Sequence, residues 1–274
     1  VQDHIRQQNE HFYPIFYENK NQAKAQKDFF LKIIKEKGRK FKDTQFNFNK
    51  DFKFTCDPKI DIPAFNKVRR NTISNHLNIS KNKVLILDHH LAHTYYAYYA
   101  SPFRDKSCVI VTADGDGDYG TNATVSIVKN NSIHEIFKTD NQPIARLWRY
   151  FTLMLGMKPQ QHEYKVMGMA PYGDPDISNY VCQELFKHFD VNNLKFKHLK
   201  KPQDLYFYFR KLFHGIRFDN LAGGIQIWTE KMLEKWIKNI LKETKISRVV
   251  FSGGLAMNIK ANQVVANIKH IKEL

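Results

Sequence analysis

The sequence predicts an α/β fold, because short β-branched strands alternate along it with longer amphipathic helices. Cys108–Ala113 and Thr121–Val128 have strand composition, and the Asp/Gly-rich turn between them is typical of a hairpin. Ile225–Leu241 has apolar residues at the spacing of one helix face, and another strand, Arg248–Phe251, follows it. With 274 residues, 42% of them hydrophobic, the chain is long enough for one large domain or two lobes.

The part of the chain before the hairpin is expected to be mainly helical. The spacing of apolar residues predicts three segments, an irregular helix over 1–45, a loop over 46–64 and a helix over Asn66–His76. The short apolar run Val84–Leu87 predicts a buried strand. Asp88 then suits the N-cap of a helix that continues to Ala100. After the hairpin, residues 144–156 and 179–189 have helical spacing, and a last helix follows Arg248–Phe251.

The composition bears on three properties of the protein: its partners, its relation to membranes and the state of its cysteines. Lys and Arg total 43 against 27 Asp and Glu, a formal net charge of +16, but the lysines are scattered and no Arg-rich helix accompanies them. Nucleic acid is therefore not the expected partner, although such a charge is compatible with it. No apolar run approaches the roughly 18 residues that a membrane span needs. Three widely spaced cysteines predict buried reduced thiols in a cytoplasmic protein. Since the chain begins with Val1 and not Met, its start is expected to be a cut end.

The first candidate site is a pair of histidines in the segment that follows Asp88. His89 and His93 are four residues apart, so on a helix their rings share one face and can bind one divalent metal. His90 points elsewhere and is expected to be free for proton transfer or for a hydrogen bond to substrate. The spacing alone also allows a polar helix face with solvated histidines.

The second candidate site is the glycine turn of the hairpin. Gly115, Gly117 and Gly120 spell a dinucleotide-binding pattern, but a strand follows where that fold needs a helix. The context instead favours a turn whose backbone N–H groups face phosphate while a carboxylate of the turn binds the cation. An ordinary Asp/Gly hairpin turn is the alternative.

Two further motifs carry candidate residues. Gly253, Gly254 and Asn258 follow a strand and precede a helix, an arrangement that lets a nucleotide approach the backbone, although such glycine pairs are common in α/β proteins. In the glycine- and proline-containing segment 163–173, Lys165 is a candidate to bind a phosphate or carbamoyl oxygen and Glu163 to orient it. A surface loop with a salt bridge is the alternative.

These pieces, in this order, resemble the O-carbamoyltransferases that modify nodulation factors and antibiotics. The matching text is DHHLAH (88–93), TADGDGD (112–118), EYKVMGMAPYG (163–173) and FSGGLAMN (251–258). The third of these is the most specific, and the matches span residues 84–263.

The resemblance implies a two-lobed actin-like ATPase fold of the ribonuclease H-like type, with an incomplete first lobe. Residues 1–106 would be the remainder of that lobe, including the histidine helix, and 107–274 the second lobe. Carbamoyl phosphate and ATP would form carbamoyl-adenylate in a separate C-terminal domain that is absent from this sequence. The domain described here would pass the carbamoyl group to a hydroxyl of a sugar-like or natural-product acceptor.

The resemblance also implies roles for residues. His89, His93 and Asp114 would bind a divalent metal, usually iron(II), although their donor types also suit zinc or manganese. The residues with catalytic roles would be Lys165, Glu163 and His90. The residues that bind the nucleotide would be Gly115, Gly117, Gly253, Gly254 and Asn258. A fourth metal ligand, an Asp, would follow Leu274, so the fragment alone is expected to bind metal weakly and to be inactive.

Three other functions stay open at this point. A threonylcarbamoyl transferase acting on tRNA would also explain the basic charge, but the lysine motif and the doubled histidine favour the O-carbamoyl branch. A basic, non-catalytic nucleic-acid-binding module would bind independently of metal. A sugar kinase would need a catalytic Asp and no histidine pair.

Overall fold

The computed structural model describes residues 55, 57–200, 202 and 204–274, and the chain divides between Asp88 and His89 into two compact units. In the first unit, helix α1 covers Pro58–Leu77. It begins where Asp57 accepts a hydrogen bond from the N–H of Lys59 at 2.9 Å. Residues 58–64, which the sequence placed in a loop, therefore belong to the helix, and the predicted helix over Asn66–His76 is confirmed.

The predicted buried strand over Val84–Leu87 is wrong. This segment has no regular secondary structure, and the side chains of Leu85 and Leu87 are 79% and 52% exposed. In the part of the chain that the structure describes, no strand pairs with it, and an extended run without a partner lacks the hydrogen bonds of a sheet. The expectations for 1–45 and for 46–54 fall outside the described residues.

The second unit is built on a four-stranded mixed sheet, which confirms the α/β class. Its strands cover Val109–Ala113 (β1), Ala123–Lys129 (β2), Ser132–Thr139 (β3) and Val249–Ser252 (β6), and a separate two-stranded ribbon has Phe189–Asn192 (β4) and Lys195–His198 (β5). The strand order of the sheet is β3-β2-β1-β6, with β1 antiparallel to β2 and parallel to β6. The predicted hairpin is therefore present as β1 and β2.

Seven helices are described in this second unit. They cover His89–Ala100 (α2), Ile144–Met154 (α3), Glu163–Met169 (α4), Pro175–Phe186 (α5), Leu205–Leu212 (α6), Phe218–Thr244 (α7) and Ile259–Ala266 (α8). The helices expected after Asp88, over 144–156 and after β6 are confirmed, and the helix expected over 179–189 starts and ends a few residues earlier than predicted.

Helix α7 begins seven residues before the segment that apolar spacing identified. Gly223 and Gly224 lie inside it, where glycine lowers helix propensity. A Cβ at Gly224 would lie 2.4 Å from the Cβ of Val181 on α5, and one at Gly223 would lie 2.4 Å from the hydroxyl of Ser178. The two glycines thus allow α5 and α7 to pack closely, and this contact compensates for their low propensity.

The sheet separates two hydrophobic cores. Val109, Val111 and Ala113 of β1 face a large core that contains Trp228 and Trp236 of α7. On the opposite face, a smaller core joins the sheet to α2 through Tyr98, Phe103, Cys108, Ile110, Val128 and Val250. Since successive side chains of a strand point to opposite faces, α2 lies across the sheet from α7. This arrangement brings the histidines of α2 to the end of β1.

Two other expectations concern cysteines and membranes. Cys108 and Cys182 are buried and free, as expected, whereas Cys56 lies outside the described residues. None of the helices in the described ranges is long and apolar enough to cross a bilayer. The two-lobed actin-like arrangement stays a prediction.

Candidate functional site

The two predicted metal-binding histidines converge on one carboxylate. His89 and His93 lie one turn apart on α2, and their ring centroids are 4.7 Å apart. The Nε2 atom of each ring lies 3.2 Å from Oδ2 of Asp114. One ligand atom from each residue lies within 4.8 Å of the other two, so the three side chains form a cluster that could hold a metal ion. The resemblance to the O-carbamoyltransferases implied these same three residues.

Asp114 follows the last residue of β1, and both its backbone and its side chain are held. Its N–H donates to the carbonyl of Asn122 at 2.9 Å, and the side-chain amide of Gln142 donates to its carbonyl at 3.2 Å. Oδ1 accepts the N–H of Gly115 at 2.6 Å. Burial alone would raise the pKa of Asp114, but the hydrogen bonds from His89 and from the N–H groups of Gly115 and Gly254 hold it well below its usual range.

A buried amide pair that the sequence did not reveal supports Asp114. The Nδ2 of Asn122 donates to the carbonyl of Gln142 at 2.9 Å, and its Oδ1 accepts the N–H of Gln142 at 3.0 Å. The Oε1 of Gln142 accepts the N–H of Ala145 at the start of α3. Two polar residues twenty positions apart have no periodicity, so nothing in the sequence pattern pointed to this pair.

The other carboxylates of the hairpin turn have separate roles. Asp116 accepts hydrogen bonds from Arg146 at 3.1 Å and from Arg149 at 3.3 Å, both on α3. Oδ2 of Asp118 accepts the N–H of His89 at 3.0 Å, at the first residue of α2. The turn therefore connects to two helices, and Asp114 contacts the histidine rings.

His90 is not free in this structure, although the sequence suggested that it would be, and its part in proton transfer stays a prediction. Its side chain is 1% exposed, with Nδ1 2.7 Å from the hydroxyl of Thr112 and Nε2 3.0 Å from the carbonyl of Thr121. Because a carbonyl only accepts, Nε2 carries the proton and Nδ1 accepts from Thr112. Burial, followed by the proximity of His89, lowers the pKa of His90, so the ring is neutral and fixed.

Two glycines of the hairpin turn, Gly115 and Gly117, have packing roles in the structure. The N–H of Gly115 donates to Asp114, so it is not directed at a ligand. A Cβ at Gly115 would lie 2.4 Å from Nη2 of Arg149, and one at Gly117 would lie 2.7 Å from Cδ2 of His90. A nucleotide contact by either residue stays a prediction.

The glycine pair after β6 lies against Asp114 and the end of β1. Gly253 has φ of 97°, and a Cβ there would lie 2.3 Å from the carbonyl oxygen of Ala113. A Cβ at Gly254 would lie 2.9 Å from Oδ1 of Asp114. Asn258 caps α8 by accepting the N–H of Ala261 at 3.0 Å, and it exchanges amide hydrogen bonds with Gln226. Its polar atoms are therefore already used within the protein.

A cavity of about 360 Å³ adjoins the cluster of His89, His93 and Asp114 on the Asp114 side. Several residues singled out in the sequence lie in its wall, namely Asp114, Gly115, Glu163, Gly254 and Asn258. Its wall also includes side chains that sequence reasoning missed, such as Trp148, Arg149, Tyr164, Met167 and Leu255. Asp114 thus lies at one side of the cavity, and the rest of the cavity wall is largely apolar.

Lys165 and Glu163 do not form the expected pair. They lie two residues apart on α4, and residues at that spacing point in different directions. Glu163 is in the cavity wall, whereas Lys165 is exposed and its Nζ lies 5.9 Å from the ring centroid of Tyr164. Within the described ranges, no ion pair joins the two residues, and the role of Glu163 in orienting Lys165 stays a prediction.

Comparisons with known proteins agree on one family. The family model described as Carbamoyltransferase N-terminus matches residues 8–274 of this chain. An uncharacterized protein of Methanocaldococcus jannaschii is 28% identical over 223 residues, which cover 72% of this chain and 35% of that protein. The nodulation protein NolNO of Sinorhizobium fredii is 25% identical over 190 residues, covering 67% and 27% respectively. The nodulation protein NolO of Bradyrhizobium diazoefficiens is 22% identical over 180 residues, covering 64% and 32%. The chain spans about a third of the length of these relatives.

Proposed function

The chain belongs to the carbamoyltransferase N-terminus family, and from this we propose that it contains the site of carbamoyl transfer to a hydroxyl group. The donor in this proposal is carbamoyl-adenylate, formed from carbamoyl phosphate and ATP. The acceptor is a sugar-like or natural-product hydroxyl, and the fold that presents the site is the two-lobed actin-like ATPase fold. Two of the relatives are nodulation proteins, which agrees with the resemblance to carbamoyltransferases that modify nodulation factors.

The observation that carries the proposal is the cluster of His89, His93 and Asp114. Two imidazoles and a carboxylate are a donor set that suits iron(II), zinc or manganese. Ligands on one such ion lie roughly 3 Å apart when each is about 2.1 Å from it, and the 3.2 Å separations of the two Nε2 atoms from Oδ2 fit this. When bound, the metal would supply Lewis-acid polarisation of a ligand oxygen.

The protein's own groups would prepare this site before a metal binds. The N–H groups of Gly115 and Gly254 favour the ionised form of Asp114, which is the form that binds a cation. The hydrogen bond from Gln142 to the Asp114 carbonyl fixes the direction in which the carboxylate leaves β1. The neighbouring cavity would hold the adenylate, with its apolar wall against the base and with Asp114 at the reacting end.

Because the fragment is expected to bind metal weakly, the test is a calorimetric titration of the metal-free protein with Mn²⁺ under anaerobic conditions. We expect one ion to bind to the unchanged protein, and His93→Ala and Asp114→Asn to lose this binding. His134→Ala is the matched control, because His134 is exposed on β3 and has no part in the cluster. A protein that holds no metal, or that loses it equally in the control, would overturn the assignment.

The identity of the donor is tested by supplying carbamoyl-adenylate and measuring AMP release with a hydroxyl acceptor present. In this reaction the acceptor oxygen forms a bond to the carbamoyl carbon, the bond from that carbon to the phosphate oxygen breaks, and AMP leaves. His90 does not take the acceptor's proton in this proposal, because both its ring nitrogens are bonded within the protein. We therefore expect any activity of His90→Gln to fall through loss of packing, with an unchanged pH profile.

A further inference from the structure

Two arginines on α3 share one carboxylate but differ in their surroundings. Arg146 and Arg149 both donate to Asp116, at 3.1 and 3.3 Å. The side chain of Arg146 is 40% exposed, whereas that of Arg149 is 14% exposed. Arg149 is also in the wall of the cavity beside Asp114, and Arg146 is not. Of the two, only Arg149 can meet a ligand that occupies the cavity.

The absence of a side chain at Gly115 leaves room for the guanidinium of Arg149, which lies in the same cavity wall as Asp114. Its Nη2 lies so close that a Cβ at Gly115 would be 2.4 Å away, so any other residue at this position would displace it. Among the described residues, its hydrogen bond goes from Nη1 to Asp116, and Nη2 and Nε have no hydrogen-bond partner. A mostly buried cation therefore has unused donors at the cavity.

A buried guanidinium needs polar partners, because burial removes the water that would solvate it. Its planar fork of N–H groups matches the oxygens of a phosphate, which it can bind in a bidentate way. The acidic groups of the cavity wall are already engaged. Asp114 accepts from two imidazoles and from backbone N–H groups, and Glu163 accepts from the N–H of Gln160. Among the described hydrogen bonds, neither of these two carboxylates accepts one from Arg149.

We propose that Arg149 binds the phosphate of the nucleotide ligand through Nη2 and Nε and fixes it beside Asp114. The proposal rests on the proposed function for the chemical class of the ligand, a nucleoside monophosphate. It does not depend on the metal or on transfer. Arg149 is thus a ligand-binding residue, and Gly115 leaves the space that the Arg149 guanidinium occupies.

The test compares two probes, AMP and adenosine, which differ only in the phosphate. Their affinities for the 274-residue protein are measured by calorimetry with the same Mn²⁺ concentration throughout. We expect the unchanged protein to prefer AMP by about tenfold or more, the usual effect of a charge-assisted hydrogen bond. In Arg149→Gln this preference is lost while the adenosine affinity stays the same. Arg146→Gln is the matched control, since it loses the same charge and the same partner, and its preference stays within about twofold.

Each outcome decides the proposal. It is overturned if Arg149→Gln retains the preference, if both arginine variants lose it equally, or if the unchanged protein does not prefer AMP. If circular dichroism shows that Arg149→Gln does not fold, Arg149→Lys takes its place, because lysine keeps the charge but lacks the fork. Its preference for AMP should fall, and an unchanged preference would overturn the proposal. If the protein does not bind metal but still prefers AMP over adenosine through Arg149, the proposed metal site is refuted and this inference stands.

Discussion

The backbone N–H of His89 donates to Oδ2 of Asp118 at 3.0 Å. His89 is the first residue of α2, and Asp118 lies in the turn that also contains Asp114. A carboxylate at this position satisfies an N–H group that has no partner within the helix, and it interacts favourably with the positive end of the helix dipole. One hydrogen bond thus sets the start of the histidine helix relative to the carboxylate that its histidines contact.

Replacing Asp118 by Ala should lower both stability and metal affinity. The helix loses a capping interaction worth about 1 kcal/mol, and His89 loses its fixed position, which should weaken metal binding about tenfold. Urea unfolding and a metal titration measure the two effects. Glu135→Ala, which removes an exposed carboxylate from β3, is the control. Equal metal affinity in both variants would show that the hydrogen bond has no role in the site.

Replacing Gln142 by Met should loosen Asp114 without removing it. Met has a similar length but cannot donate to the carbonyl groups of Asp114 and Asn122. Outer hydrogen bonds of this kind change metal affinity by about 10- to 100-fold, so we expect a loss in that range in a metal titration. Gln263→Met, at an exposed position of α8, should leave the affinity unchanged. A Gln142→Met protein that binds metal normally would contradict the supporting role.

Replacing Gly253 by Ala should destabilise the protein more than the same change at Gly215. Both glycines have positive φ, 97° and 85°, so both alanine variants bear backbone strain of about 1–3 kcal/mol. At Gly253 the added Cβ would also lie 2.3 Å from the carbonyl oxygen of Ala113, whereas at Gly215 nothing lies within 4 Å. Urea unfolding of the two variants measures the difference. Equal losses would mean that the contact with Ala113 is relieved by a small shift.

Cys108 and Cys182 should resist alkylation in the folded protein. Burial raises the pKa of Cys108 to about 11 and also raises that of Cys182, so little of the reactive thiolate exists at pH 8. In a Cys56→Ser protein, iodoacetamide should react with both thiols more than about tenfold faster in urea than in native buffer. Mass spectrometry follows the two sites separately. Fast labelling of either cysteine in native buffer would show that its side of the sheet opens readily.

Much of the site was predictable because its signals are local in sequence. The spacing of His89 and His93 predicts one helix face, and the β-branched residues around the Asp/Gly turn predict a hairpin with Asp114 at the end of its first strand. Bringing the two together needs only that α2 packs on the sheet through residues such as Tyr98. Short-range patterns therefore predicted the elements, whereas the grouping of Asp114 with the two histidines came from the family resemblance.

The parts that could not be predicted depend on contacts between distant segments. Leu85 and Leu87 belong to an apolar run, but strand formation needs a partner that the described residues do not provide. Gly223 and Gly224 read as helix breakers until the close approach of α5 is known. Arg149 stood in a segment recognised only as a helix, and its contact with Asp116 spans 33 positions. The surroundings of such residues are set by tertiary packing, on which a local pattern carries no information.

The assignment of His90 shows why residue type alone does not give a role. It lies between two site residues, yet the helical turn directs it at Thr112 and Thr121, inside the protein. A buried ring with two fixed partners orders the packing between α2 and the sheet. Its proximity to the site in sequence thus reflects helix geometry.

The two cores on opposite sides of the sheet have a consequence for divergence among related chains. Val109 and Val111 are constrained by α7, while Ile110 and Thr112, between and after them, are constrained by α2. Neighbouring positions of this strand pack against different helices. Substitutions can therefore accumulate on the α2 side without disturbing the packing of α7. Evolution can therefore alter the ligand chemistry at the histidine helix while the larger half of the scaffold is inherited unchanged.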